Sequence, residues 1–169
     1  MKKNLVVIGY GGMGTWHTQH ALKSDVVNLA GVYDINPEKN KLAEERGIFA
    51  YDSYEAVLAD EKVDLITVAI PNDSHKEVVI RALEAGKNVI CEKPVSMDSA
   101  ELDEMIAASE KSGKLFSVHQ NRRFDVDFLA MKQIKQSGEL GELINIESRI
   151  HGSRGIPSDW RGEKEHGGG

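Results

Sequence analysis

Short apolar runs alternate with helix-period segments along most of the chain, and this alternation restricts the fold more than any other feature. Leu5-Val6-Val7-Ile8 is apolar at every position, so a strand there must be covered on both faces. Further strands are expected at Asn28–Tyr33, about 48–51, Leu65–Ile70, Asn88–Cys91 and Leu115–His119. Helices are expected between them: over 13–23, from Pro37 to about Arg46 with Gly47 as stop, and briefly from Ser53. Another runs from a cap at Asp73 or Ser74 to Gly86, and one from Ser96 or Asp98 to near Gly113. Strand-then-helix repeated in this way requires crossover connections, hence a doubly wound parallel α/β sheet of Rossmann type.

The first strand runs directly into Gly9-Tyr10-Gly11-Gly12-Met13-Gly14, a G-x-G-x-x-G pattern that opens the next helix. Alone the pattern is weak; between a strand and a helix it is the context that dinucleotide binding needs. Gly9 permits the tight turn, Gly11 lets backbone approach a pyrophosphate, and Gly14 lets the helix lie close to the sheet. The free N–H groups of the helix start, from Gly12 and Met13 onward, suit phosphate oxygens. Asp34 ends the second strand, 20 residues beyond Gly14, where a carboxylate accepts bonds from the adenosine ribose hydroxyls. Its charge would repel a 2′-phosphate, so the expected cofactor is NAD, with NADP the weaker alternative, although Lys39 and Lys41 follow closely. Ile35 continues the same loop.

Open parallel sheets bind ligands at the carboxyl ends of their strands. Pro71, Asn72 and Asp73 follow the fourth run, with His75 one turn into its helix. Glu92, Lys93 and Pro94 follow the fifth, and Gln120, Asn121, Arg122 and Arg123 follow the sixth. Lys93, between a carboxylate and a proline, is the candidate catalytic residue, able to donate a hydrogen bond to a reacting oxygen; burial there would weaken its hold on a proton. Of the six histidines, His17 and His20 sit three apart on one helix, but the sequence offers them no evident further ligand, so no metal is expected. His17 is expected beneath the glycine loop, His75 at a helix start near the cofactor, and His119 as a satisfied core histidine. His151 and His166 lie in the tail. Cys91 reads as an inert buried thiol, and Glu44-Glu45 and Glu101–Glu104 as solvated helix faces.

The Gly9–Gly14 loop, Pro71-Asn72 with His75, and Glu92-Lys93-Pro94, in this order and spacing, resemble the glucose–fructose oxidoreductase and inositol dehydrogenase family, Gfo/Idh/MocA. Gln120-Asn121-Arg122-Arg123-Phe124, Trp160-Arg161 and the final three glycines extend the resemblance over the whole chain. It implies hydride transfer between nicotinamide and a hydroxyl of a sugar, cyclitol or related polyol. By the same resemblance Lys93 lies against nicotinamide and substrate, Glu92, Trp160 and Arg161 lie at the cofactor, and Arg122 borders the substrate. An Asp and a His beyond the glycines complete the family's catalytic set, and neither falls within these 169 residues. A non-catalytic NAD(P)-binding redox sensor is the alternative, though a sensor has no need of Lys93; reduction of an imine or a bilin is a third reading.

After His119 the pattern changes. One more helix is expected over 125–137, and the alternation of Leu143–Ile150 reads as a half-exposed antiparallel strand. Such a strand cannot stand alone and would invite pairing with another chain. The expectation is a Rossmann domain over 1–121. Residues 122–169 then form a linker helix, a strand and a tail, the start of a truncated α+β domain through which the parent would form a homo-oligomer. A chain cut off there is expected to bind cofactor without completing catalysis. A net charge of -6 argues against nucleic acid and anionic membrane surfaces. Lys2 and Lys3 before an apolar run of four residues make too short a signal peptide. The single cysteine fits a reducing cytoplasm.

Overall fold

The computed structural model describes residues 1–149, 151 and 160–166, with Arg161 described by its backbone alone. Its centre is a five-stranded parallel sheet built from β1 (Lys3–Ile8), β2 (Val27–Tyr33), β3 (Leu65–Val68), β4 (Asn88–Cys91) and β5 (Phe116–Val118), in the order β2-β1-β3-β4-β5. Helices α1 (Gly12–Ala21), α2 (Pro37–Glu45), α3 (Tyr54–Ala59), α4 (His75–Glu84) and α5 (Ser99–Ser112) connect the strands or lead into them. A sixth helix, α6 (Val126–Ser137), follows β5.

The uninterrupted apolar run of β1 is explained by two cores. Val6 and Ile8 face a cluster with Val57, Ile66, Val68, Val79, Leu83, Val89 and Met105. Leu5 and Val7 face the other cluster, with Tyr10, Ala21, Val32, Ala43 and Ile48. Side chains alternate across a strand, so a central strand with a core on each side has no position left for a polar residue.

Three helix starts and two helix ends follow local chemistry. Asn36 caps α2 by accepting the Glu38 N–H, Ser53 caps α3 through the Ala56 N–H, and Asp98 caps α5 through the Glu101 N–H. Gly113 and Gly138 close α5 and α6 in the left-handed region. Neither Asp73 nor Ser74 caps α4 with its side chain; a 3-10 turn at Asn72–Ser74 leads into the helix instead.

Two strand expectations are corrected. The run near 48–51 contributes only a single parallel bridge, Val32 to Ala50, at the β2 edge, with the Val32 N–H donating to the Phe49 carbonyl and the Tyr51 N–H to the Val32 carbonyl. It occupies the outer-strand position without forming a strand. Leu143–Arg149 is irregular rather than extended in a sheet, and residue 150 lies outside the described residues. Its alternating pattern needs a partner strand, and it pairs with none among the described residues. Leu140, Ile144 and Ile146 are exposed, and no described residue beyond 121 is buried. No helix among the described residues is long and apolar enough to cross a membrane.

Candidate cofactor site

The strand order reverses at β1, which has β2 on one side and the later β3 on the other, and a cleft opens at the carboxyl end of the sheet where the two halves diverge. A cavity of about 1020 Å³ lies along this edge, at the upper end of the size range of small-molecule sites. Gly9, Gly11, Gly12 and Met13 form its floor.

The glycines divide the work as their spacing implies. Gly9 has φ +91, and a Cβ there would lie 2.4 Å from the Ala69 carbonyl oxygen. A Cβ on Gly14 would lie 1.7 Å from the Gly9 carbonyl oxygen, so α1 rests directly on the turn. Gly14 thus serves the site from beneath and is not part of the cavity wall. Gly11 and Gly12, by contrast, have open space where a Cβ would stand. The first helical bond of α1 runs from the Thr15 N–H to the Gly11 carbonyl, 2.9 Å, and no side chain caps the helix. Gly12 and Met13 line the cavity, and their amides precede that bond and have no partner within the helix ladder, as at an anion-binding helix start.

Asp34 stands opposite the cradle and is held on every side. Its Oδ2 accepts the Tyr10 N–H at 2.6 Å and its Oδ1 accepts the Asn36 N–H at 2.8 Å. Asn40, one turn into α2, accepts the Asp34 N–H and donates to the Asp34 carbonyl, both at 2.8 Å. This clamp fixes the carboxylate at the cavity wall, with Ile35 and Lys39 beside it. No spacing rule points to Asn40, which is legible only once α2 is seen folding back over the end of β2.

The far wall was also missed. Tyr54, Glu55, Glu77, Val78 and Arg81 line it. The Tyr54 hydroxyl donates to the Val78 carbonyl at 2.6 Å, the Arg81 guanidinium lies 5.0 Å above the Tyr54 ring, and Arg81 also pairs with Glu55 at 2.7 Å. Burial raises the Tyr54 phenol, only partly opposed by Arg81, and the ring is packed between the Arg81 guanidinium and Tyr33.

At the other end, Pro71, Asn72, Glu92, Lys93, Pro94 and Trp160 complete the lining. The Lys93–Pro94 peptide is cis. Lys93 is exposed among the described residues, and the burial expected of it is not found there. Glu92 is only 5% exposed. Its Oε1 lies 2.7 Å from His17 Nε2 and 2.9 Å from His119 Nδ1, while Oε2 accepts the Lys93 N–H at 3.2 Å. Burial raises the Glu92 carboxyl, but the hydrogen bond from His17, the charges of both imidazoles and the Lys93 amide together bring it below the ordinary carboxylate range. The statement that His17 lacks further partners is therefore corrected: Glu92 and His119 both reach it, and His20, its neighbour on α1, does not, stacking on Trp16 instead. His119 lies just past β5 and is half-buried rather than a core histidine.

His75 is fully buried and absent from the cavity wall. Its Nδ1 lies 3.0 Å from the Pro94 carbonyl oxygen and its Nε2 3.1 Å from that of Ile70, tying the backbone on either side of the site. Burial lowers its pKa, against the pull of those carbonyls. Cys91 is buried and its thiol is pushed well up by that burial, in keeping with an inert side chain. Arg122 is exposed and pairs with Asp125 at 2.7 Å, and neither it nor Asn121 lines the cavity. His166 reaches back to Asp73, Nδ1 to Oδ2 at 3.0 Å, bringing the short turn at Trp160–Gly162 against the site.

A twisted parallel sheet, a glycine cradle at a helix start and a clamped aspartate at the end of the next strand define a dinucleotide-binding Rossmann domain. Residues 3–120 match the oxidoreductase family with an NAD-binding Rossmann fold, and the chain belongs to that family, Gfo/Idh/MocA. It is 36% identical over 167 residues to the uncharacterized oxidoreductase YhhX of Escherichia coli, covering 92% of this chain and 48% of that protein. It is 32% identical over 147 residues to the myo-inositol 2-dehydrogenase of Thermotoga maritima, covering 85% and 44%. Among solved structures, an NAD-binding protein from Listeria innocua is 52% identical with a TM-score of 0.96, matched over 100% of this chain and 50% of its own. The chain spans no more than about half the length of these relatives.

Proposed function

We propose that this chain is the cofactor-binding part of an NAD-dependent dehydrogenase acting on a hydroxyl of a sugar, cyclitol or related polyol. The observation that carries the cofactor reading is the open cradle at Gly11, Gly12 and Met13 facing the clamped Asp34 carboxylate. The residues fit the group: Gly11 and Gly12 leave open space for a pyrophosphate, and the cavity runs on past Asp34 to a far wall lined by Tyr54, Glu55 and Arg81. When bound, NAD supplies the hydride acceptor. The Gly12 and Met13 amides would receive phosphate oxygens, and Asp34 would accept the ribose hydroxyls on the lone pairs its backbone partners leave. Lys93, beside Glu92 on the cavity wall, would donate to the substrate oxygen and set its C–H in line. The substrate class rests on the likeness to myo-inositol 2-dehydrogenase.

NAD should bind at least about tenfold more tightly than NADP. The 2′-phosphate removes a charge-assisted bond of about 1.5–3 kcal/mol and sets like charges together. Asp34→Asn should narrow the ratio by removing the charge while keeping an acceptor for one amide. Calorimetric titration of both nucleotides measures it, and equal constants for the parent chain would refute the role of Asp34.

We further propose that turnover needs the remainder that the relatives carry. The 169-residue chain should bind NADH yet show no change in absorbance at the nicotinamide band with NAD and a panel of inositols and sugars. General acid–base help of the kind then missing is worth roughly 10²–10⁴ in rate. Clear turnover would place the whole chemistry within these residues.

A further inference from the structure

His17 on α1, Glu92 beyond β4 and His119 beyond β5 bring two imidazoles to a single carboxylate oxygen, and their ligand atoms all lie within 4.8 Å of one another. We propose that this cluster is a binding site for a divalent transition-metal ion of the zinc class.

Two imidazole nitrogens and one carboxylate oxygen are the donor set of open zinc sites, in which water takes the fourth position. Imidazole also favours this class of ion over magnesium or calcium, which demand oxygen. Tetrahedral ligands at about 2.0–2.1 Å from zinc stand roughly 3.3 Å apart. The two nitrogens now lie 2.7 and 2.9 Å from Glu92 Oε1, so an ion needs them to part by about half an ångström. Each neutral ring can move its proton to its other nitrogen and free the lone pair that faces the cluster.

The site is built rather than incidental. Glu92 is buried, with its side chain 7% exposed, and the two histidine side chains are 11% and 23% exposed, which leaves one side for water. The Lys93 N–H holds Oε2, turning Oε1 toward the histidines, as an orienting partner does at a metal centre. Trp16 packs edge-on against His17 at 5.3 Å and lies 6.0 Å from His119, steadying both rings. A dication would also sit directly against the buried Glu92 carboxylate and offset its charge. Because Glu92 and Lys93 share the cavity wall, the ion would sit behind the inner end of the cofactor site and lock α1 to the sheet edge.

The test uses the whole 169-residue chain, dialysed against chelator. Co²⁺ titration followed by visible absorption should show bands of a tetrahedral nitrogen–oxygen site saturating at one ion per chain. Zn²⁺ should displace the cobalt and raise the melting temperature. His17→Gln and His119→Gln should each weaken cobalt binding at least about tenfold while keeping the far-ultraviolet circular dichroism of the parent. His20→Gln, one turn away on α1 and outside the cluster, should bind as the parent does. Absence of saturable uptake, or equal uptake by the parent and both cluster variants, would overturn the site and leave the cofactor reading untouched, since NADH titration of the same metal-free samples reports that separately.

Discussion

Gly14→Ala should lower the melting temperature by about 10 °C and abolish NADH binding together. The added Cβ would fall 1.7 Å from the Gly9 carbonyl oxygen and 2.8 Å from its carbon, both backbone atoms of a turn that is itself pinned. Gly9 cannot yield, because its N–H donates to the Tyr33 carbonyl at 2.8 Å and its own Cα side faces the Ala69 carbonyl. Helix α1 must therefore lift from the sheet, parting Thr18 and Ala21 from their buried positions. Overpacking typically costs about 1–3 kcal/mol, and a clash with backbone alone belongs at the upper end, about 3 kcal/mol; each kcal/mol is worth roughly 2–8 °C in a domain of this size. Thermal melts of Gly14→Ala and of Gly11→Ala make the comparison, since a Cβ at Gly11 meets nothing within 4 Å. Equal melting temperatures for the two variants would show that α1 does not rest on the turn.

The second large effect separates folding from binding. Gly11→Val should leave the melting temperature within about 2 °C of the parent and weaken NADH at least about a hundredfold. The backbone at Gly11 is extended, with φ -80 and ψ -155, a conformation that a β-branched residue adopts without strain. The isopropyl group would project into the open space ahead of the Gly12 and Met13 amides, where the pyrophosphate must come. Losing two charge-assisted bonds of about 1.5–3 kcal/mol each yields the expected change in affinity. Calorimetry with NADH alongside a thermal melt decides it; undiminished affinity would remove the glycine loop from the binding site.

What could be read without coordinates was whatever depends on neighbours in sequence. A strand apolar on both faces, glycines at a strand-to-helix junction and an acid at the end of the following strand each state a local requirement, and β1, the cradle and Asp34 stand where those requirements put them. The same holds for Asp98 and Gly113 at the ends of α5. Patterns that need a distant partner were read less well. The run at 48–51 has strand composition but touches the sheet at one bridge, and Leu143–Arg149 alternates without a strand to pair with.

The sequence by itself determined the chain's class: a parallel sheet between two helical layers, with a phosphate cradle at its first turn. Only the tertiary structure decided which side chains share a site. His17 and Glu92 are 75 positions apart, and Glu92 and His119 are 27 apart, so no local spacing announces their meeting at one oxygen. Asn40 clamps Asp34 because α2 turns back over the end of β2, and Tyr54 and Arg81 meet at the far wall through side-chain contacts between α3 and α4. His75 shows the converse: its position after the fourth run pointed to the cofactor, yet the fold sinks it beneath the wall between two carbonyls. The physical reason is common to all of these. Periodicity and turn chemistry act over a few residues, whereas the sheet order brings strand ends together irrespective of how far apart they lie in the chain.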